Sequence, residues 1–252
     1  MFIGKPLMIT VDFDRLPVKP GSTILDIGCG SGRHTCAASR LEKVTVIGSD
    51  VSFDEVVEAQ NRLKEQENLG LNGGGLWAVL AADITGLPFP DDFFHLVICS
   101  EVLEHIPDQE KAVKEVIRVL KPDGDLVVSV PRYLPERLCW ALSESYHRVP
   151  KGHIRIYKRK ELIHLLEDSG SKLWASHFAH SLHTPYWWLK CLIGPARQDS
   201  ALVNLYHRFL VWDMMKKPGL TRFLDRLLNP LLGKSIVLYL RKERDVEASH
   251  LA

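Results

Sequence analysis

Three glycines on alternate positions follow a short apolar segment that contains an acidic residue. Gly28, Gly30 and Gly32 come directly after residues 23–27, and Asp26 lies two positions before the first glycine. Backbone without side chains can approach a ligand closely, and the N–H groups at the start of a following helix would face the same point. This pattern indicates a binding loop for a nucleotide-like cofactor.

Further acidic residues narrow the kind of cofactor. Arg33 stands where a dinucleotide-binding loop has its third glycine, and the absence of a Gly-Lys-Ser/Thr sequence excludes a P-loop. Asp50 ends the second predicted strand, where a carboxylate can accept hydrogen bonds from both hydroxyls of a ribose. Asp83 follows the third predicted strand and is placed to meet an adenine amino group. A nicotinamide-dependent oxidoreductase remains an alternative at this point.

Two histidines are candidates for a catalytic base. His105 follows the fourth predicted strand, and His153 lies in a loop before a predicted helix. Each histidine could instead have a structural role in its own loop. We expect Glu104 to be a solvated or capping carboxylate. The histidines and Cys99 lack the spacing of a zinc site, so we expect no metal. The five cysteines include no C-x-x-C pair, which is typical of reduced, buried thiols.

The elements that must position these residues alternate from residue 23 to about residue 180. The predicted strands are 23–27, 44–48, 76–82, 93–99, 125–130 and 172–178. The predicted helices are 31–42, 52–68 (opened by a capping box from Ser52 to Glu55), 108–120 (capped by Asp108 and stopped at 121–124) and 158–168. This alternation implies right-handed crossovers and a doubly wound parallel sheet, whose ligands bind at the carboxyl ends of the strands.

The segment 181–234 has a different character. It carries eight Lys and Arg against three Asp, a net charge of +5, and its aromatic residues include Trp187, Trp188 and Trp212. Two helical stripes of apolar residues run through it: Leu202, Leu205, Tyr206, Phe209 and Trp212, then Leu220, Phe223, Leu224, Leu227, Leu228 and Leu231. Residues 235–240 then predict one more strand. The segment is therefore an insertion that either completes the core, binds an apolar acceptor, or contacts a membrane peripherally.

The composition of the chain limits the classes of function that we expect for it. The chain has 252 residues, of which 46% are hydrophobic and 25% charged. Its net charge of +1 argues against a positive electrostatic potential over the whole surface, which would attract nucleic acid. No signal-peptide pattern and no apolar run long enough to span a membrane is present, so we expect a cytoplasmic location, either free or at the periphery of a membrane. Oligomeric state is not readable from these features.

Several motifs in order resemble the class I S-adenosylmethionine-dependent methyltransferases, in particular the small-molecule branch that includes ubiquinone and menaquinone biosynthesis enzymes. The resemblance covers about residues 20–180. The motifs are LDIGCGSGRHT at 25–35, GSDVS at 48–52, AADITGLPFPDDFF at 81–94, ICSEVLEHIPD at 98–108 and VLKPDGDLVVSVP at 119–131. Two departures, His95 and Asp123 where the family usually has Asp and Gly, fall at the end of the sheet away from the cofactor.

The resemblance implies a Rossmann-like α/β fold with a seven-stranded sheet whose last strand is antiparallel. Together with the residue pattern described above, we expect one domain with an extension (1–20), a cofactor core (20–180), the insertion (181–234) and a last strand (235–242). It also implies S-adenosylmethionine as cofactor and S-adenosylhomocysteine as product. The cofactor-binding residues that it implies are Asp26, Gly28, Cys29, Gly30, Arg33, His34, Asp50, Val51, Asp83, Ile84, Ser100 and Glu101.

We accordingly expect methyl transfer to O or C of a small, apolar acceptor, with His105 or His153 assisting deprotonation and Tyr133 or Tyr146 contacting the acceptor. No Asn/Asp-Pro-Pro-Tyr motif follows the fourth strand, so a nucleic-acid acceptor is not expected; protein acceptors stay open. The alternative from another class is a protein that binds the cofactor without transferring a methyl group.

Overall fold

A seven-stranded mixed sheet forms the centre of the protein. The computed structural model describes residues 8–148 and 152–244. The strands run in the order β3-β2-β1-β4-β5-β7-β6, and β7 is antiparallel to both of its neighbours. They are β1 (Thr23–Ile27), β2 (Thr45–Asp50), β3 (Trp77–Ala81), β4 (Phe94–Ser100), β5 (Leu120–Pro131), β6 (Ser171–Ala179) and β7 (Ser235–Lys242). The predicted fold class is confirmed.

Helices cover both faces of this sheet. They are α1 (Arg33–Ala38), α2 (Phe53–Asn68), α3 (Gln109–Val119), α4 (Tyr133–Leu142), α5 (Glu144–His147), α6 (Arg159–Glu167), α7 (His183–Ile193), α8 (Ala201–Lys216) and α9 (Gly219–Leu232). A short 3-10 turn, Leu103–His105, follows β4. The helices α7 to α9 lie between β6 and β7 in the chain, as the predicted insertion requires.

The central strands are apolar on both faces because both faces are covered. On one face, Leu25 and Val97 belong to a core that includes Val113 of α3 and Leu162 of α6. On the other face, the neighbouring strand residues pack with α1 and with the chain before β1, which contributes Val11 and Leu16. The segment predicted as an extension thus joins the core from residue 11 onward.

The sequence predicted side-chain caps at the N-termini of α2 and α3, and the structure has the cap of α3 alone. The Asp108 side chain accepts a hydrogen bond from Lys111 N at 3.0 Å, so this predicted cap is confirmed. The predicted capping box at Ser52 is wrong, because the Ser52 side chain makes no capping bond. The carboxylate of Asp50 instead accepts a hydrogen bond from Ser52 N at 2.8 Å. Residues 121–124, predicted to stop a helix, lie within β5.

The insertion has little core of its own. Tyr186, Val203 and Leu210 form a small buried cluster among α7 and α8, while Thr221 is the buried residue of α9. The apolar stripes face outward, with exposed fractions of 61% for Phe223 and 59% for Leu227. Tyr206 of the first stripe packs against the small cluster, whereas most other stripe residues are exposed. Within the described part of the chain, no helix has both the length and the apolar character that crossing a membrane requires.

Candidate active site

One open cleft of about 850 Å³ lies at the carboxyl ends of the first four strands. This volume falls in the range of small-molecule sites. The residues predicted from sequence that line it are Gly28, Cys29, Gly30, Arg33, Asp50, Val51, Asp83, Ile84, Ser100, Glu101, His105 and His153. The structure therefore brings the glycine loop and the two histidines into one space.

The glycine loop passes tightly against the loop after β4. Gly28 has φ +62°, and a Cβ at this position would lie 2.3 Å from Cγ2 of Val102. A side chain at residue 28 would be strained by its backbone and blocked by its neighbour. The loop N–H of Gly30 is engaged by Asp50, whose Oδ2 accepts it at 2.9 Å.

Asp50 connects the glycine loop to α2. Its two carboxylate oxygens accept separate backbone hydrogen bonds, Oδ2 from Gly30 and Oδ1 from Ser52. Each carboxylate oxygen has a further lone pair, so Asp50 can also accept bonds from a ligand's hydroxyls. The local fold thus fixes the orientation of this carboxylate at the end of β2.

Asp83 is a second fixed carboxylate at the next strand end. Its Oδ1 accepts hydrogen bonds from Thr85 N at 2.7 Å and from Thr85 Oγ1 at 2.8 Å. These bonds lower the pKa of Asp83, so it is anionic at neutral pH. Val51, 76% exposed, and Ile84, buried, add apolar surface to the same cleft.

Asp26 and His34 lie behind the loop and do not line the cleft. Asp26 accepts a hydrogen bond from Thr35 Oγ1 at 2.6 Å, and burial raises its pKa to about 6. His34 Nε2 accepts a hydrogen bond from Thr10 N at 3.1 Å, and burial lowers the pKa of His34 well below its ordinary value. Both residues hold the loop and α1 in place, so we leave them out of the proposed ligand contacts.

A polar chain crosses the end of β4. Arg33 donates a hydrogen bond to Ser100 Oγ at 3.2 Å, and Ser100 Oγ lies 2.7 Å from Ser129 Oγ. Ser129 Oγ donates to Glu101 Oε1 at 3.1 Å. Glu101 has φ +59°, an uncommon conformation for a residue with a side chain. These contacts fix a guanidinium and a carboxylate at the mouth of the cleft.

The two histidines meet at the other end of the cleft. Their ring centroids are 4.9 Å apart. His105 Nδ1 lies 3.1 Å from the carbonyl oxygen of Gly152, and His153 Nδ1 lies 2.6 Å from Oε1 of Glu136. Both partners are acceptors, so Nδ1 of each ring carries the proton and Nε2 of a neutral ring carries the lone pair.

Sequence reasoning missed Glu136, which organises this end of the cleft. Its Oε1 also accepts from Trp140 Nε1 at 3.1 Å, and its Oε2 accepts from Tyr146 Oη at 3.3 Å. Burial is the largest single influence on Glu136 and raises its pKa, but the hydrogen bond and charge of His153, with the charge of Lys234 and the hydrogen bond from Trp140, together outweigh it, so the net pKa lies below the ordinary value. The available signal was an acidic residue among the apolar positions of a helix.

Of the two predicted acceptor-contacting tyrosines, Tyr146 reaches the histidines through Glu136. Tyr133 does not line the cleft; its hydroxyl accepts a hydrogen bond from Arg137 at 3.0 Å. The insertion reaches this region indirectly, because Trp188 Nε1 donates to the carbonyl oxygen of Pro135 at 3.1 Å. Among the described residues, none of 181–234 lines the cleft.

Glu104 is buried, and its expected solvation is wrong. Its exposed fraction is 1%, and neither carboxylate oxygen has a hydrogen-bond partner within the described structure. Burial, with the nearby charge of Glu101, raises the pKa of Glu104 well above its ordinary value. Burying a carboxyl group without hydrogen-bond partners lowers the stability of the fold, and the raised pKa favours the neutral form, for which burial is less unfavourable.

Comparisons with known proteins agree with the fold. A family model described as "Methyltransferase domain" matches residues 25–128. The chain is 32% identical over 117 residues to methyltransferase GfsG of Streptomyces halstedii, covering 46% of this chain and 40% of that protein. It is 33% identical over 138 residues to the ubiquinone/menaquinone biosynthesis C-methyltransferase UbiE of Vibrio vulnificus, covering 53% and 51% respectively. The chain therefore spans about half the length of these curated relatives.

The fold also matches solved structures. A structure from Methanosarcina mazei titled as a SAM-dependent methyltransferase aligns with a TM-score of 0.61 and 17% identity, over 94% of this chain and 100% of that chain. At this identity the likeness concerns the architecture alone.

Proposed function

We propose that the chain transfers a methyl group from S-adenosylmethionine to O or C of a small, apolar acceptor, since the methyltransferase-domain family model matches residues 25–128. The observation that carries the proposal is the shared cleft, which holds a nucleoside-compatible set of side chains at one end and a histidine pair at the other.

The side chains at the first end fit the cofactor. Asp50 offers a fixed carboxylate to the ribose hydroxyls, and Asp83 offers another to the adenine amino group. Val51 and Ile84 supply apolar surface for the base, and the bare backbone at Gly30 suits the methionine part. When bound, S-adenosylmethionine supplies a methyl group that its sulfonium already activates.

The protein's own contribution to the reaction is then mainly positioning. Side chains that hold an acceptor in line and keep water out of the cleft account for much of the rate of such transfers. His105 and His153 are the side chains that we expect to face the acceptor's reacting atom, since their Nδ1 atoms are already engaged. Nε2 of a neutral His153 ring can accept a hydrogen bond from an acceptor hydroxyl.

We further propose that α8 and α9 contact an anionic membrane surface. Their outward stripe includes Leu205, Trp212, Leu220, Phe223 and Leu227, each at least 48% exposed. The segment 181–234 that carries them has a net charge of +5. Apolar side chains flanked by basic ones are typical of helices that lie in a membrane interface, and such a surface would suit an apolar acceptor.

Two alternatives, a nicotinamide-dependent oxidoreductase and a protein that binds the cofactor without methyl transfer, are separated by two experiments. Equilibrium titration with S-adenosylhomocysteine and with NADH tests the first. We expect saturable binding of S-adenosylhomocysteine and none of NADH; the opposite result would support the oxidoreductase. The second alternative requires binding without turnover across a broad panel of acceptors.

A further inference from the structure

A second, smaller cavity lies where the start of α7 meets the junction of α8 and α9. Its volume is about 100 Å³, which gives room for roughly seven to ten water-sized groups, enough for a molecule the size of an amino acid. Among the described residues, it shares none with the cleft of the proposed active site. Its lining residues are Met8, Ile9, His180, Leu182, His183, Asp213, Met214, Lys217, Arg222 and Asp225.

Unpaired polar atoms are concentrated around this cavity. Ten buried side-chain nitrogen and oxygen atoms of the described residues lack a hydrogen-bond partner, and four of them belong to residues that line it. These four atoms are Oδ1 of Asp213, Nε of Arg222 and both ring nitrogens of His183. Buried polar atoms are nearly always paired in folded proteins, because an unpaired atom has lost its hydration without compensation. A polar ligand in the cavity would supply the missing partners.

Two carboxylates of the lining have spare capacity to accept hydrogen bonds. Asp213 is 2% exposed, and its Oδ2 accepts a hydrogen bond from Nη2 of Arg222, while Oδ1 has no partner in the described structure. Oδ1 of Asp225 accepts a hydrogen bond from Ser181 Oγ at 2.8 Å. Oδ2 of Asp225 has only a long contact, 3.5 Å, with Nδ2 of Asn229. The carboxylates are therefore suited to a cationic donor such as an ammonium group.

The same lining offers donors to an acid group. Arg222 has the unpaired Nε–H, and Lys217, which is exposed, contributes an ammonium. Burial, more than the nearby charge of Lys234, lowers the pKa of His183 to about 4, so its ring is neutral at pH 7. A neutral imidazole donates from one nitrogen and accepts at the other.

The balance of charges limits the kind of ligand. The lining carries two carboxylates and two cationic side chains. An anion without a positive group would be repelled by the carboxylates, and a cation without a negative group would be repelled by Arg222 and Lys217. A neutral polyol could make hydrogen bonds but would gain less from the charged side chains than a zwitterion.

We propose that this cavity binds a small zwitterion that carries a primary ammonium and a phosphate or carboxylate group. The ammonium donates to Oδ1 of Asp213, and the acid group accepts from Arg222 and Lys217. Free amino acids and ethanolamine phosphate have this chemistry, and so do the head groups of ethanolamine and serine phospholipids. The site does not depend on methyl transfer.

The test is calorimetric titration of the full chain with two pairs of ligands. Glycine is compared with betaine, and phosphoethanolamine with phosphocholine; within each pair the second molecule has three N-methyl groups and cannot donate from nitrogen. We expect one equivalent of glycine or phosphoethanolamine to bind, and its methylated counterpart to bind about 10-fold or more weakly. Saturation with S-adenosylhomocysteine should leave this binding unchanged, because the cavity and the cleft are separate.

Variants assign the binding to the cavity. Asp213→Asn and Arg222→Gln should each lower the affinity for the bound probe by about 10- to 100-fold, and Lys217→Gln by about 2- to 5-fold. Arg226→Gln and Lys216→Gln are the matched controls, because both residues are exposed neighbours on the same helices and do not line the cavity. Circular dichroism checks folding, and Lys217→Gln carries the test if the buried variants do not fold.

Vesicle co-sedimentation distinguishes the two sources of the ligand. Stronger binding to vesicles with phosphatidylethanolamine than to phosphatidylcholine vesicles, lost in Asp213→Asn, would assign a lipid head group, and this outcome alone rests on the proposed membrane contact. Equal binding to both vesicles, with saturable binding of a soluble probe, would assign a free molecule.

The site would be overturned if neither glycine nor phosphoethanolamine bound, or if betaine, phosphocholine or glycerol bound as tightly as they do. Displacement of the probe by S-adenosylhomocysteine, or equal affinities in Arg222→Gln and Arg226→Gln, would also overturn it. Probe binding in a chain that transfers no methyl group would instead refute the proposed function and leave this site standing.

Discussion

His153 Nδ1 lies 2.6 Å from Oε1 of Glu136, and this contact joins the loop before α6 to the helix that follows β5. Glu136 is 3% exposed, and it also accepts hydrogen bonds from Trp140 and Tyr146. A buried carboxylate with three donors fixes its surroundings, because removing any donor leaves charge poorly compensated. The geometry of the histidine end of the cleft therefore depends on Glu136.

Glu136→Gln should destabilise the protein by about 1–3 kcal/mol at pH 7, since it removes a charge-assisted hydrogen bond. The pKa of Glu136 lies below its ordinary value of 4.5 in the folded state. Its contribution is thus fully present above pH 4.5 and is lost as pH falls through the folded pKa. Urea unfolding at several pH values should show the difference from the unmodified chain narrowing below pH 4.5.

Glu144→Gln is the control for this experiment, because Glu144 is exposed on α5 and pairs with Arg148. Its effect should stay within about 0.5 kcal/mol at every pH. A Glu136→Gln effect no larger than that of Glu144→Gln would show that the Glu136 contacts do not stabilise the fold.

Gly28→Ala should destabilise the protein by about 1–3 kcal/mol and weaken S-adenosylhomocysteine binding, because the new Cβ meets Val102 and the backbone has positive φ. Adding Val102→Ala should recover part of the loss by removing the contact, while the backbone strain remains. Gly86→Ala, where no atom lies within 4 Å of the Cβ position, is the control. Equal unfolding free energies for Gly28→Ala and Gly86→Ala would contradict the tight approach.

Asp50→Asn should lower S-adenosylhomocysteine affinity by about 10- to 100-fold, since hydrogen bonds to a charged group contribute about 1.5–3 kcal/mol. Asp54→Asn is the matched control; Asp54 is exposed in the first turn of α2 and does not line the cleft. Calorimetric titration of both variants measures the difference. Unchanged affinity in Asp50→Asn would remove this carboxylate from the proposed ligand contacts.

Replacing Phe223 and Leu227 together with Asp should reduce binding to vesicles containing anionic phosphatidylglycerol by about 10-fold or more, because both apolar burial and charge attraction are lost. Leu69→Asp, at an exposed apolar position that follows α2, is the control. Vesicle co-sedimentation at low and high salt measures binding. If the unmodified chain does not co-sediment, the membrane proposal fails.

Local patterns were sufficient to predict the strands, whereas the antiparallel last strand was implied by the family resemblance. The strand predictions rest on buried apolar runs such as 93–99, and the observed β4 spans Phe94–Ser100. The glycine loop and Asp50 were identifiable because loop conformation and strand ends depend on nearby sequence. The capping box was not predictable in this way, because the carboxylate of Asp50 accepts the N–H of Ser52, which the Glu55 side chain of a capping box would bind, and the Ser52 side chain makes no capping bond.

Contacts between segments that are distant in sequence could not be predicted from local patterns. Glu104 was expected to be solvated or capping and is buried, and His34 was expected to bind the cofactor but is covered by the chain at Thr10. Each outcome depends on packing between residues tens of positions apart, which local propensity does not encode. The outward direction of the α9 stripe likewise depends on how the insertion packs.

Transfer of a labelled methyl group from S-adenosylmethionine to a panel of small hydroxylated and quinone-like acceptors tests the central claim most directly. The account predicts label in at least one acceptor with equimolar S-adenosylhomocysteine, and loss of that transfer in Asp50→Asn but not in Asp54→Asn. Tight S-adenosylhomocysteine binding with no label transferred to any acceptor would contradict methyl transfer and favour a protein that only binds the cofactor.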